Sequence, residues 1–81
     1  MENTKILLLD DREENLISLK AILNRDDIEI FETTSANEAL RMVWENNIAV
    51  ALVDVQMPGM DGFTVLQKVR EANSTLPVLM L

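Results

Sequence analysis

The sequence predicts an α/β fold built on a parallel sheet. Short apolar runs of the kind found in buried strands recur along the chain, and segments with helical spacing separate them. The order is strand, helix, strand, helix, strand, helix, strand, which favours parallel strands joined by right-handed crossovers. Two of the strand-like runs end in aspartate, one at Asp10-Asp11 and one at Asp54.

Length and composition limit what the chain can be. Its 81 residues suit a single small domain, residues 1–81, and the hydrophobic content of 48% is typical of a globular protein. The net charge of −7 argues against direct binding to nucleic acid or to an anionic membrane. There is no signal-peptide pattern and no apolar run long enough to cross a bilayer. We therefore expect a soluble cytoplasmic domain.

The absence of cysteine and histidine limits the chemical reactions and metal sites that the chain can support. The chain has no cysteine, so disulfides and thiolate metal sites are excluded. It also has no histidine, which removes the commonest general base and the commonest ligand of transition metals. Any chemistry in this chain must therefore depend mainly on carboxylates and on metals that prefer oxygen ligands.

The first part of the chain is predicted to be strand, helix, strand. Residues 5–10 contain four consecutive apolar residues, too few for a helix and unpatterned as in a buried strand. Residues 12–25 have helical spacing. The inward stripe of that helix is Leu16, Leu19 and Leu23, with Ile22 beside it. Residues 28–33 form a second strand, in which Glu29 and Glu32 indicate an edge position.

A helix and the central strand follow. Ser35 and Glu38 have the spacing of a capping box, which predicts a helix start. The inward residues of this helix are Ala39, Leu40 and Val43, with Trp44 partly buried, and it ends near Asn46-Asn47. Residues 49–54 run through apolar residues to Asp54, which is typical of a strand buried on both faces.

The last part of the chain is predicted to be loop, helix, strand. After a loop at residues 57–60, Asp61 is placed to cap a third helix. The expected inward residues of that helix are Phe63, Val65, Leu66 and Val69. Residues 76–81 are almost entirely apolar and form a fourth strand.

The aspartates at the strand ends are the candidate site. In a parallel sheet the carboxyl ends of neighbouring strands meet at one edge, so Asp10, Asp11 and Asp54 are expected to converge. Crowded carboxylates repel one another, and a hard divalent cation relieves that repulsion. Mg²⁺ keeps several waters and needs only one or two carboxylates together with a carbonyl oxygen. Taken singly, however, an aspartate after a strand is more often a helix cap or a turn former.

The joint pattern of Asp10-Asp11, Asp54 and Met57-Pro58-x-Met60-Asp61-Gly62 resembles a known family. It is similar, over the whole chain, to the receiver domain (CheY-like) of two-component response regulators. The resemblance implies a flavodoxin-like, doubly wound parallel sheet with strand order 2-1-3-4, lacking the last strand and helices of the family.

The resemblance also implies roles for individual residues. Asp54 would accept a phosphoryl group from a phosphohistidine on a sensor histidine kinase or a histidine phosphotransfer protein. Mg²⁺ would be bound by Asp11, Asp54 and the backbone carbonyl of Gln56, with Asp10 acting through water. The domain would then be a phosphoacceptor with self-catalysed phosphotransfer and dephosphorylation at most, and not an enzyme in the usual sense.

In one respect the chain departs from the family pattern. Receivers carry a Ser or Thr after the fourth strand and a Lys at the end of a fifth, and both positions fall beyond Leu81. Lys20 and Lys68, on predicted helices, match neither. On this basis we expect the first two-thirds of a receiver, with an exposed apolar edge at its fourth strand. We also expect either that this 81-residue form is a dimer or an exchanged assembly, or that further residues complete it.

Two other functions for an aspartate at the end of a strand do not fit the sequence. A phosphatase of the haloacid dehalogenase type needs a second aspartate two residues after the first, where this chain has Gln56. A calcium loop needs an acid at the twelfth position from Asp54, which is Val65. The alternative that stays open is a receiver scaffold used for interaction or dimerisation without phosphorylation.

Overall fold

Strands and helices alternate along the chain, as the sequence predicts. The computed structural model describes residues 3–54, 56–57 and 60–81, with the backbone alone for residues 56, 57, 60 and 61. Pro58 and Gly59 of the predicted loop lie outside the described residues. The elements in chain order are β1 (Thr4–Leu9), α1 (Glu13–Ile22), β2 (Ile28–Thr33), α2 (Ala36–Glu45), β3 (Val50–Val53), β4 (Gln56–Met57), β5 (Met60–Asp61), α3 (Gly62–Ala72) and β6 (Val78–Met80).

Four of the strands form one parallel sheet in the order β2-β1-β3-β6. Because β6 is the fourth of the long strands predicted from the sequence, the predicted order 2-1-3-4 and the flavodoxin-like architecture are confirmed. The register aligns Leu9 with Thr33 on one side and with Val53 on the other. Val53 is aligned in turn with Met80. The four strands therefore end in one row, and the residues that follow them lie along one edge of the sheet.

A short antiparallel pair, β4 and β5, stands where the sequence predicts only a loop. Gln56 pairs with Asp61, and Met57 pairs with Met60. Strands of two residues are too short to show the alternation by which a strand is recognised in a sequence. Asp61 directly precedes α3, which is the position expected of a helix cap; its side chain lies outside the described residues.

The larger part of the core lies between the sheet and the two helices α2 and α3. The strand side chains that face these helices are Leu7, Leu9, Ala51 and Val53, which alternate along β1 and β3 as a pleated strand requires. The helices contribute Ala36, Ala39, Val43, Val65 and Val69, and the connecting segments contribute Ile48 and Leu76. All of these side chains are buried.

The opposite face of the sheet is covered by α1. The buried residues on this side are Ile6, Leu8 and Leu16. The partly buried residues packed against them are Leu19, Leu23, Ile28, Ile30, Val50 and Leu52. Helices on both faces of a parallel sheet make the fold doubly wound, which explains why β1 and β3 read as unbroken apolar runs.

Three large side chains that the sequence pattern turns inward are exposed. Phe63 is 67% exposed, Trp44 is 71% exposed and Ile22 is 76% exposed, so these three predictions are wrong. In α3 the buried residues are Gly62, Val65 and Val69, a stripe that leaves Phe63 to one side. In α2 the stripe is formed by Ala36, Ala39 and Val43, which leaves Trp44 outside. The inward faces of both helices are thus made of small residues, and the large apolar residue beside each stripe points away.

The start of α2 is fixed by the predicted cap. The Ser35 hydroxyl accepts a hydrogen bond from the backbone N–H of Glu38 at 3.3 Å. The hydroxyl of Thr33, the last residue of β2, accepts a hydrogen bond from the backbone N–H of Ser35 at 3.0 Å. Within the described part of the chain, no helix has both the length and the apolar character of a membrane-spanning helix.

Candidate functional site

The register of the sheet brings two aspartates to neighbouring positions on one edge. Leu9 and Val53 are register partners, and each is followed directly by an aspartate, Asp10 or Asp54. The backbone hydrogen bonds continue one residue beyond the strands, because the Asp54 N–H donates to the Leu9 carbonyl at 3.0 Å. The Asp10 N–H donates to the Thr33 carbonyl at 3.3 Å. Both aspartates are therefore held by the sheet itself.

Asp11 completes a cluster of three carboxylates. One carboxylate oxygen from each of Asp10, Asp11 and Asp54 lies within 4.8 Å of those of the other two. Asp10 is buried, with 4% of its surface exposed, whereas Asp11 and Asp54 are partly buried. Like charges at this separation repel one another, and burial of Asp10 removes much of the water that would screen the repulsion.

Asp10 is held by donors from the beginning of α1. The backbone N–H of Arg12 donates to Asp10 Oδ1 at 2.9 Å, and the Asn15 side-chain amide donates to Asp10 Oδ2 at 3.1 Å. A carboxylate oxygen has more than one lone pair, so each oxygen of Asp10 keeps capacity to accept another bond. In the described part of the chain, no buried side-chain nitrogen or oxygen lacks a hydrogen-bond partner.

The donor set of the cluster suits a hard cation. Three carboxylates offer only oxygen ligands, and the partly buried Asp11 and Asp54 leave room for waters, which Mg²⁺ retains when it binds to proteins. A divalent cation would also relieve the mutual repulsion of the three charges. The residues present therefore fit a magnesium ion at this edge of the sheet.

An open cleft of about 520 Å³ adjoins the cluster. Asp10, Arg12, Asn15 and Asp54 contribute polar groups to its lining, and Leu19 and Leu81 contribute apolar ones. Ser18 also lines it. Arg12, the residue that directly precedes α1, is exposed and brings a cationic side chain to the cleft that Asp10 and Asp54 also line. The cleft gives a ligand access to Asp54 from solvent.

The structure brings together three of the four site residues predicted from the sequence. Asp10, Asp11 and Asp54 converge as the parallel sheet requires. Gln56 lies two residues after Asp54 and is paired with Asp61, and the role of its backbone carbonyl stays a prediction. Sequence reasoning missed Asn15, because an asparagine in the first turn of a helix is common and only its spacing of five from Asp10 marks it.

Comparisons with known proteins agree with this arrangement. The sequence model of the response regulator receiver domain family matches residues 6–81. The transcriptional regulatory protein SrrA of Staphylococcus aureus is 39% identical over 79 residues, which make up 98% of this chain and 32% of SrrA. The chain thus spans about a third of the length of that curated relative.

Solved structures show the same fold. An adenylate cyclase structure from Rhodopirellula baltica matches with a TM-score of 0.86 and 38% identity, over 96% of this chain and 58% of the other. A structure of histidine kinase ThkA in complex with response regulator protein TrrA matches with a TM-score of 0.85 and 26% identity. That match covers 95% of this chain and 66% of the matched chain.

Proposed function

This chain belongs to the response regulator receiver domain family, and on that premise we propose that it accepts a phosphoryl group on Asp54. The observation that carries the proposal is the convergence of Asp10, Asp11 and Asp54, whose oxygens lie within 4.8 Å of one another. Asp54 lies at the carboxyl edge of the central strands and lines an open cleft, so a donor can reach it from solvent. The domain is thus a phosphoacceptor that at most catalyses its own phosphotransfer and dephosphorylation.

The proposed ligands of Mg²⁺ are the carboxylates of Asp11 and Asp54 and the backbone carbonyl of Gln56, with Asp10 acting through water. When bound, the cation supplies neutralisation of negative charge on the phosphoryl oxygens and on the carboxylates. Asp10 is buried and bonded through both oxygens, which supports an indirect role for it. Asp11 and Asp54 are more accessible, which supports direct ligation by these two.

The proposed reaction is transfer from a phosphohistidine. A carboxylate oxygen of Asp54 attacks the phosphorus, the bond between phosphorus and the imidazole nitrogen breaks, and the electron pair stays on that nitrogen. The product is an aspartyl phosphate, and attack by water on it releases inorganic phosphate and restores the Asp54 carboxylate. The protein's task is mainly to position Asp54 and to accommodate charge, which the fixed strand ends achieve.

The proposed donor is a sensor histidine kinase or a histidine phosphotransfer protein, in the cytoplasm. The structural match to a complex of histidine kinase ThkA with response regulator protein TrrA supports this class of partner. The net charge of −7 gives no support for direct binding to nucleic acid.

Labelling of Asp54 tests the proposal. The protein, incubated with Mg²⁺ and acetyl phosphate, is expected to gain an acid-stable, alkali-labile phosphate on Asp54. The variant Asp54→Asn is expected to lose the label. The variant Asp26→Asn, which changes an exposed aspartate outside the cluster, is the matched control and is expected to keep it. Labelling that persists in Asp54→Asn would overturn the assignment.

A second candidate function is self-association without phosphorylation. Within the described residues β6 pairs with β3 alone, and Leu79 and Leu81 at this edge are 57% and 53% exposed. Exposed apolar side chains beside an open strand edge favour pairing with another strand. We propose a second copy of this chain as the partner, in a dimer or an exchanged assembly. The labelling of Asp54 described above distinguishes the two functions, because only the first requires a phosphate on that residue.

A further inference from the structure

We infer that Asn15 is a positioning residue, whose side-chain amide keeps the Asp10 carboxylate oriented toward Asp11 and Asp54. The inference rests on the proposed function and adds to it a residue that neither binds the cation nor receives phosphate. Its basis is the hydrogen bond from Asn15 Nδ2 to Asp10 Oδ2 at 3.1 Å. Because an ionised carboxylate can only accept, the Asn15 amide presents its NH₂ group, not its oxygen, to Asp10.

Asp10 needs such a donor more than its two neighbours do. It is 4% exposed, and it lies within reach of two other carboxylates. A buried charge is costly unless hydrogen bonds replace the lost water, and bonds to a charged acceptor are stronger than neutral ones. Arg12 supplies one donor from its backbone, which no substitution except proline removes. Asn15 supplies the other donor from its side chain, so a substitution at this position removes that hydrogen bond to Asp10.

The bond also joins two elements of the fold. Asp10 follows the last residue of β1, and Asn15 is the third residue of α1. With Oδ1 held by the Arg12 N–H and Oδ2 held by Asn15, the plane of the Asp10 carboxylate is fixed at both oxygens. Its remaining lone pairs then have a fixed direction relative to Asp11 and Asp54. Loss of the amide frees the carboxylate to rotate, so a cation must order it again on binding.

Substitution of Asn15 tests the inference in the full chain. Titration of Mn²⁺, a probe for the magnesium site, followed by the loss of its free electron-spin resonance signal, gives the affinity. Asn15→Ala is expected to weaken Mn²⁺ binding on the order of 10-fold, the usual size of an effect through a neighbouring ligand. The matched control is Asn37→Ala, which changes an exposed asparagine in the first turn of α2 and is expected to leave the affinity within about twofold. Alanine forms helices better than asparagine, so a weaker affinity cannot be attributed to a lower helix propensity.

A double-mutant cycle separates positioning from a general structural effect. In an Asp10→Asn background, Asn15→Ala is expected to change Mn²⁺ affinity by less than about twofold, because the carboxylate that Asn15 orients is gone. Equal weakening in the two backgrounds would mean that Asn15 supports the fold in general, and the inference would fail.

A second readout needs no change at Asn15. In the wild-type chain, Mg²⁺ is expected to shift the NMR signals of the Asn15 side-chain amide more than those of Asn24 or Asn37.

The possible outcomes distinguish the two proposals. If the wild-type chain binds Mn²⁺ and Asn15→Ala binds it equally well, the positioning role is wrong while the proposed function stands. If the Asn15 amide signals do not respond to Mg²⁺ in a chain that binds the ion, the positioning role is also wrong. If the wild-type chain does not bind Mn²⁺ at all, the proposed cation site fails and the inference fails with it.

Discussion

Leu9 and Val53 are partners in the register of the parallel sheet, and the residue after each of them is an aspartate. This one pairing fixes where Asp10 and Asp54 lie relative to each other. A shift of β3 by one residue would exchange the side chains packed toward α2 and α3, Ala51 and Val53, with those packed toward α1, Val50 and Leu52. Because the two faces are packed by residues of different size, this exchange is unfavourable and the register is held. The position of the carboxylates is therefore a consequence of the same side chains that form the core.

Divalent cations are expected to stabilise the folded chain. The cluster exists only when β1 and β3 are paired, so a cation that binds there favours the folded state. The gain in the free energy of unfolding is expected to be about 2.7 kcal/mol at a free Mg²⁺ concentration about 100 times the Kd. Urea denaturation with MgCl₂, compared with NaCl at equal ionic strength, measures it. An equal gain in NaCl would show general screening and no bound ion.

Asp11→Asn is expected to make the cation-free chain more stable. The substitution removes one of three carboxylates that repel one another, and Asp11 is partly buried, so the gain is expected to be about 1 kcal/mol. The same variant is expected to lose most of the stabilisation by Mg²⁺. Asp26→Asn, at an exposed position outside the cluster, serves as the control for both effects. A destabilised Asp11→Asn variant would contradict the view that repulsion dominates in the cation-free cluster.

Ser35→Ala is expected to lower the free energy of unfolding by about 1 kcal/mol, because the first turn of α2 loses the hydroxyl that accepts from the Glu38 N–H. Ser18→Ala is a suitable comparison. The Ser18 hydroxyl donates to the Glu14 carbonyl inside α1, where alanine is the better helix former. We expect Ser18→Ala to be neutral or slightly stabilising in thermal or urea unfolding. A similar loss in both variants would argue against the cap.

Sedimentation at micromolar concentration is expected to show self-association of the 81-residue chain. Leu79→Lys places a charge on the exposed edge strand and is expected to favour the monomer. Ile17→Lys makes the same change of net charge at an exposed apolar residue of α1 and is the matched control, expected to leave self-association unchanged. Added salt is expected to strengthen association, because it screens repulsion between copies that each carry a net charge of −7. A monomer under all of these conditions would contradict the dimer.

Much of the fold follows from local patterns in the sequence. The unbroken apolar runs around Leu7 and Ala51 indicate strands covered on both faces, and both lie in the centre of the sheet. The aspartates after those runs identify the site, because parallel strands end at one edge. The resemblance to the receiver family adds the strand order, which composition and spacing alone do not determine.

Other features could not be predicted because their signals are weak. Phe63 and Trp44 directly follow the buried residues Gly62 and Val43, so the apolar pattern alone does not separate them from the inward stripes that it otherwise predicts correctly. The β4 and β5 strands are too short for any periodicity. The hydrogen bond between Asn15 and Asp10 depends on the angle at which α1 leaves β1, which only the folded chain defines.

The backbone hydrogen bonds at the ends of β3 and β6 have a consequence for how occupancy of the site can be observed. The amide of Asp54 bonds to the Leu9 carbonyl, and the amide of Leu81 bonds to the Val53 carbonyl, so both protons sit beside the carboxylates and at the margin of the sheet. Margins of sheets open more readily than their centres, and a bound group that bridges neighbouring strands opposes such opening. The exchange of these two amide protons with deuterated water thus gives a local record of whether the acidic edge is occupied, independent of any label on the ligand.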